Sequence, residues 1–170
     1  MSKTKVVSAF PGMGKSSLTK EEKKLKLLDL DSSSFSWANG AKTLRNENFP
    51  LNYIESLQEH LKRNFYDFIF ISSHEVVRRE LIKYNIEFYL IYPPLCAYSE
   101  MIGRYVKRGS DKKFINLLEN NFDNFVSTCK YSLSDENFMC RRIETIRFMK
   151  DILPEIEHIA FDQNGKTTLI

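Results

Sequence analysis

The chain is short of the residues that build several common functional centres. Of its 170 residues only three are cysteines, and Cys96, Cys129 and Cys140 stand at spacings that fit neither a zinc site nor a CxxC redox pair. An odd count with no secretory segment reads as reduced thiols in a cytoplasmic protein, not as a disulfide framework. The three histidines, His60, His74 and His158, form no ligand pattern. No apolar run nears the roughly 18 residues of a membrane span, and Val6–Phe10 is too short for a signal-peptide core. A membrane partner is therefore not expected. Charge of one sign is also scarce. Lys and Arg number 25 against 22 Asp and Glu, a net charge of +3, which is too little to indicate binding to a nucleic-acid backbone.

What remains is a globular composition, 42% hydrophobic and 13% aromatic, in a chain that reads as one domain over residues 1–170 with a substantial core. Apolar runs alternate with helical patterns and nothing repeats. Strands are expected at "KVVSAF" (5–10), "KLLDL" (26–30), "DFIFIS" (67–72), "EFYLIY" (87–92) and "IEHIAF" (156–161). Helical spacing predicts helices near 14–24, 51–63 (with Asn52 as a cap), 75–84, 95–108, 111–129 and 138–152, with "DSSSFSW" (31–37) as a loop. Strands separated by helices imply right-handed crossovers. The expected fold is α/β, a three-layer sandwich of about five parallel strands with helices on both faces.

Only six residues are glycine, yet two of them stand two apart in "AFPGMGKSS" (9–17). A strand, a glycine turn and then a helix aim backbone N–H groups at one point, where a phosphate binds. The Walker A pattern GxxxxGK[ST] reads here as Ala9 through Ser16, with Ala9 in place of the first glycine. Pro11, Gly12, Met13, Gly14, Lys15, Ser16 and Ser17 are the expected cradle of ATP. Lys15 would reach the β- and γ-phosphates, and the Ser16 hydroxyl would hold Mg2+.

"PGMGKSS" and "RYVKRG" (104–109) resemble two segments of the nucleoside monophosphate kinases, adenylate kinase among them. That resemblance implies a P-loop sandwich of strand order 2-3-1-4-5, ATP-Mg as donor, and a short helical lid. Insertions on the lid and acceptor sides would occupy about 104–130 and 31–63. Arg104 and Arg108, four apart on one helix face, would cover the phosphoryl group in flight. Where adenylate kinases carry an acidic-Gly-Phe-Pro-Arg stretch, this chain has "SSHEVVR" (72–78), offering Ser73 to a phosphate and Arg78 to an acceptor phosphate. Of the lid's further arginines there is no counterpart; "SDKKFINLLENN" (110–121) offers Lys112 and Lys113.

"DLDSS" (29–33) is similar to the Asp-x-Asp of shikimate kinase, which implies that Asp31 contacts the acceptor and Asp29 helps organise magnesium. Within "RNENFPLNY" (45–53), Arg45 is a candidate phosphate ligand, and Phe35, Trp37, Phe49 and Tyr53 could stack on a base. Together these stretches also resemble small P-loop proteins of phage genomes described as nucleotide kinases, which implies nucleotide metabolism in a host cytoplasm.

The reading is a phosphotransferase that moves the γ-phosphoryl of ATP to a small molecule, first a (deoxy)nucleoside monophosphate. The alternative acceptor is a hydroxyl on a nucleoside, sugar, small acid or modified nucleic-acid base, favoured by Asp31. Nucleic acid as the partner is disfavoured by the weak net charge. A nucleotide-binding switch with little turnover stays open as another class, since strand three has no apolar run ending in Asp. A GTP switch would need NKxD, which is lacking.

Overall fold

The most apolar stretches of the chain lie side by side at the centre of a parallel sheet. In the computed structural model, which describes residues 3–39, 42–131, 139–161 and 167–169, β1 (Lys5–Ala9) sits between two later strands. β3 (Phe68–Ser72) pairs with one of its edges and β4 (Phe88–Tyr92) with the other. β2 (Leu27–Asp29) extends the sheet beyond β3, and β5 (Cys140–Glu144) beyond β4. All pairings are parallel and the order is β2-β3-β1-β4-β5, as expected.

Strands covered on both faces need apolar side chains at every position. Val6 and Val7, Phe68–Ile71 and Phe88–Ile91 are accordingly buried. Ser8 is the polar exception within β1; it is buried, and its hydroxyl donates to Ser72 O at 3.0 Å.

The helices are α1 (Lys15–Glu21), α2 (Ser33–Ser36), α3 (Leu51–Arg63), α4 (Glu75–Lys83), α5 (Tyr98–Lys107), α6 (Lys112–Tyr131) and α7 (Met149–His158). The step from β1 to β2 runs one way across the sheet, and the steps from β2 to β3, β3 to β4 and β4 to β5 run the other. Right-handed crossovers then put α1 on one face and α3, α4 and the α5–α6 pair on the opposite face. The contacts agree, since α3 meets α4 and α5 meets α6, while α7 returns against α1. Gly109, at φ 71°, ends the α5 segment in the left-handed conformation that its position predicts.

Two expectations fail at the carboxyl-terminal end. The helix expected over 138–152 is instead β5 followed by α7, with residues 132–138 outside the described set. β5 reads Cys-Arg-Arg-Ile-Glu; it is an edge strand, and the charges that protect an edge from further pairing also hide its strand pattern. The segment 156–161 is not the fifth strand of the sheet. α7 runs to His158, and β6 (Ile159–Phe161) pairs antiparallel with β7 (Thr167–Leu169) in a separate two-stranded sheet. Nearer the start, the expected Ser-rich loop contains the short α2. Asn52 does not cap α3; its side-chain amide donates to Phe35 O at 3.0 Å.

Asn64 closes α3 at φ 46° and uses its side chain to tie down the chain start. Its Oδ1 accepts Thr4 N–H at 3.0 Å and Thr4 Oγ1–H at 2.9 Å. Asn64→Ala would lose both bonds and force Ala into the left-handed region. A loss of about 1–3 kcal/mol is expected, read as a lower urea midpoint at unchanged slope.

Candidate active site

The loop from Phe10 to Lys15 leaves β1 at the carboxyl edge of the sheet, where a parallel fold opens its ligand crevice. Gly12 and Gly14 take φ values of 80° and 87°, conformations that L side chains resist. At Gly12 space matters as well: a Cβ there would lie 2.6 Å from the Tyr105 ring. Tyr105 braces the loop by donating its hydroxyl to Pro11 O at 2.7 Å. Met13 contributes backbone alone, because its side chain is in the core and its carbonyl accepts Met149 N–H at 2.8 Å.

Lys15 turns its amine inward, donating to Ala9 O at 2.6 Å and Phe10 O at 3.4 Å. Desolvation there pulls its pKa down from 10.5 to about 8. Asp29 and Asp31 oppose that shift, and Arg108 adds to it. The Ser16 hydroxyl donates to Asp29 Oδ2 at 2.5 Å, so the loop serine and the end of β2 meet at the cleft. Hard oxygen donors of this kind suit Mg2+, which takes its remaining ligands from phosphates and water. No cluster of three or more His, Cys, Asp or Glu exists among the described residues. The donor set therefore fits a metal carried in with phosphates, not one caged by protein alone.

The cleft measures about 620 Å³ and also takes in Pro11, Ser17, Asp31 and Ser73. Asp31 accepts Ser33 N–H at 2.9 Å on one carboxylate oxygen and Ser33 Oγ–H at 2.6 Å on the other, steadying the turn into α2. Beyond α2 a narrow loop doubles back on itself. Trp37 and Arg45 form an antiparallel bridge, flanked by Ala38 N–H to Leu44 O at 2.8 Å and Asn46 N–H to Ser36 O at 3.1 Å. The Arg45 guanidinium lies 4.0 Å from the Trp37 ring centre, a cation–π stack, and both residues line the cleft. The far wall is α6, which presents Phe114, Leu117, Leu118 and Phe125.

A scan against protein-family models matches none, and no curated protein matches the sequence. Among solved structures, the tunicamycin resistance protein of Deinococcus radiodurans is similar over 92% of this chain and 94% of its own, at TM-score 0.56 and 11% identity. The chain has the α/β P-loop sandwich fold, with a parallel sheet of order β2-β3-β1-β4-β5. Identity that low carries the architecture alone, so the roles of the site residues rest on their own geometry.

Within this P-loop fold the two lid-side arginines part company. Arg108 lines the cleft, donates to Ser110 Oγ at 2.6 Å and acts electrostatically on Lys15. Arg104 does not line it. Its guanidinium stacks 4.0 Å from the Phe148 ring centre, pairs with Glu100 at 2.5 Å, and donates to Ile146 O and, at 3.4 Å, to Gly12 O. With a side chain only 13% exposed, Arg104 braces the loop from behind and lies outside the cleft lining that Arg108 shares. Arg78 also lies outside the cleft lining. It is wholly buried, donating to Ser73 O at 3.0 Å, Thr128 O at 2.9 Å and Thr128 Oγ1 at 3.1 Å. It ties the β3–α4 turn to α6 instead of facing an acceptor.

Tyr53, expected as a stacking surface, is buried with Phe35 and Phe49 packed on it. Its hydroxyl donates to Leu30 O at 2.6 Å and accepts Ser72 N–H at 3.2 Å, joining the ends of β2 and β3. Tyr53 lies in the helix predicted over 51–63, but nothing in the sequence marked its hydroxyl, or that of Tyr105, as a brace for the site. Tyr53→Phe would leave Leu30 O and Ser72 N–H unpaired. We expect a loss of about 1–3 kcal/mol, measured by denaturant unfolding.

Proposed function

We propose that this protein transfers the γ-phosphoryl group of Mg-ATP to a small acceptor. The observation that carries the reading is the meeting, in one cleft, of the Gly12–Ser16 phosphate loop with a second polar wall of Asp31, Ser73 and the Trp37–Arg45 pair. A nucleotide-binding switch needs the first half only.

In this reading Lys15 gives up the carbonyls of Ala9 and Phe10 for phosphate oxygens, and Arg108 neutralises charge on the moving phosphoryl group. Ser16 and Asp29 would hold Mg2+, which offsets charge on the β- and γ-phosphates when bound. Trp37 and Arg45 orient the acceptor, and positioning supplies much of the rate in such reactions.

Two acceptor groups suit the cleft. A hydroxyl is favoured by the Asp29 and Asp31 carboxylates and by the removal of Arg78 to the interior. The phosphate of a (deoxy)nucleoside monophosphate is the second reading, supported by Arg45 and the Trp37 ring face. ADP release would be followed with ribo- and deoxynucleoside monophosphates, nucleosides, shikimate, gluconate and 5′-hydroxyl oligonucleotides. Acceptor-dependent release identifies a kinase, and bound ATP with silence across the panel would indicate a switch.

Lys15→Ala is expected to abolish ADP release with the fold retained by circular dichroism; equal turnover would sink the assignment. ATP should also draw a proton onto Lys15. Near pH 8 the free amine is about half protonated, given a pKa of about 8, and an adjacent triphosphate favours the charged form. Binding enthalpy should therefore vary with the ionisation heat of the buffer near pH 8, with uptake of about half a proton, and Lys15→Ala should remove that dependence. Arg108→Ala should lower kcat far more than it raises KM for ATP, whereas Arg104→Ala should lower the melting temperature.

A further inference from the structure

His74 is the first residue before α4, on the turn that follows β3, and it lines the same cleft as Lys15, Asp31 and Arg45. Its backbone is anchored: His74 N–H donates to Ser72 Oγ at 3.3 Å and its carbonyl accepts Arg78 N–H at 3.1 Å. The ring sits edge-on to Phe49, with centroids 6.4 Å apart, and among the described residues its nitrogens have no hydrogen-bond partner. Asp31, the other basic group toward the acceptor side, has both oxygens engaged by Ser33.

We infer that the acceptor's reacting group is a hydroxyl and that His74 is the catalytic residue that receives its proton. The inference rests on the kinase reading and names the acceptor chemistry within it. As the hydroxyl oxygen bonds to the γ-phosphorus, its proton passes to a ring nitrogen of His74. The bond from that phosphorus to the β,γ-bridging oxygen breaks, and ADP leaves with the electron pair. The imidazolium then gives the proton to solvent. A phosphate acceptor ionised at neutral pH would have no proton to lose.

The surroundings favour the neutral imidazole, the form able to accept a proton. More than a third of the residue is exposed, and it lines the cleft. Desolvation by the groups packed around the ring, and then Arg45 from the Trp37 loop, Lys15 from α1 and Arg78 from α4, all lower its pKa. Asp29 and Asp31 at the end of β2, Glu75 on α4 and Arg108 after α5 share the cleft and complete its charges.

The test is the pH dependence of acceptor-stimulated ADP release for wild type, His74→Asn and His74→Gln, with Lys15→Ala as blank. With ATP saturating, so that Lys15 stays charged, wild-type kcat/KM for a hydroxyl acceptor should rise with pH through an acid limb below about 6.5, the ordinary imidazole value, and level off. Both variants should lose about 10²–10⁴-fold in kcat and lose the limb, with KM for ATP changed less than about twofold. A role in packing alone would lower the melting temperature and leave the limb in place.

Retention of the acid limb, or of kcat, in either variant overturns the inference. Stimulation by nucleoside monophosphates alone also overturns it while leaving the kinase reading intact. Full activity of Lys15→Ala would instead overturn the kinase reading. With only three histidines in the chain, the His74 ring proton can be assigned by its loss in His74→Asn. Its titration by NMR should lie below the ordinary value, and a normal or raised value overturns the proposal without any acceptor in hand.

Discussion

β1 is paired in parallel along both of its edges, and this double pairing brings the ends of β1, β3 and β4 to one level of the sheet. The phosphate loop leaves β1 there, and the Ser72–His74 turn leaves β3 beside it. A slip of one residue in either pairing would send every side chain of the strand to the opposite face. The register is held by the apolar residues that fill both faces of the sheet, and by the buried Ser8 hydroxyl on Ser72 O. Core packing therefore sets how far the loop lies from the turn that faces it.

On that frame, the polar groups that point into the cleft are held by others that do not. Tyr105 grips Pro11, Arg104 grips Gly12 and the Ile146 carbonyl, Tyr53 joins Leu30 to Ser72, and Arg78 joins Ser73 to α6. Each brace uses a large side chain with one polar end, in a setting where an unpaired backbone group would cost about 1–3 kcal/mol. Preorganisation of this sort keeps the charges and dipoles around the cleft fixed, which is what the proposed phosphoryl transfer would need. It also explains why two arginines that suit phosphate chemistry by type are engaged in architecture.

The cleft is asymmetric. One part of its lining carries Lys15, Asp29 and the serines, and α6 adds Phe114, Leu117, Leu118 and Phe125 with Asn124 and Thr128 among them. Desolvation is the largest cause of the lowered pKa of both Lys15 and His74, with neighbouring cations adding to each shift. Among the described residues no helix is long and apolar enough to cross a membrane.

Local chemistry was legible in the sequence wherever short-range pattern decided the outcome. Apolar runs marked β1, β3 and β4, and the Gly-x-Gly-Lys-Ser spacing marked a loop whose positive φ values demand glycine at 12 and 14. Helical spacing marked α3 and α5, and the strand order expected from the resemblance is the one found. Tertiary structure alone decided which partner each long polar side chain meets. Arg78 and Arg104 carry the same guanidinium as Arg108, yet two are enclosed and one faces the cleft, because that depends on neighbours up to 92 residues away in sequence, such as Gly12. The β5 strand was hidden for a related reason: at a sheet edge, pairing with β4 supplies the order that a charged five-residue segment cannot supply by itself.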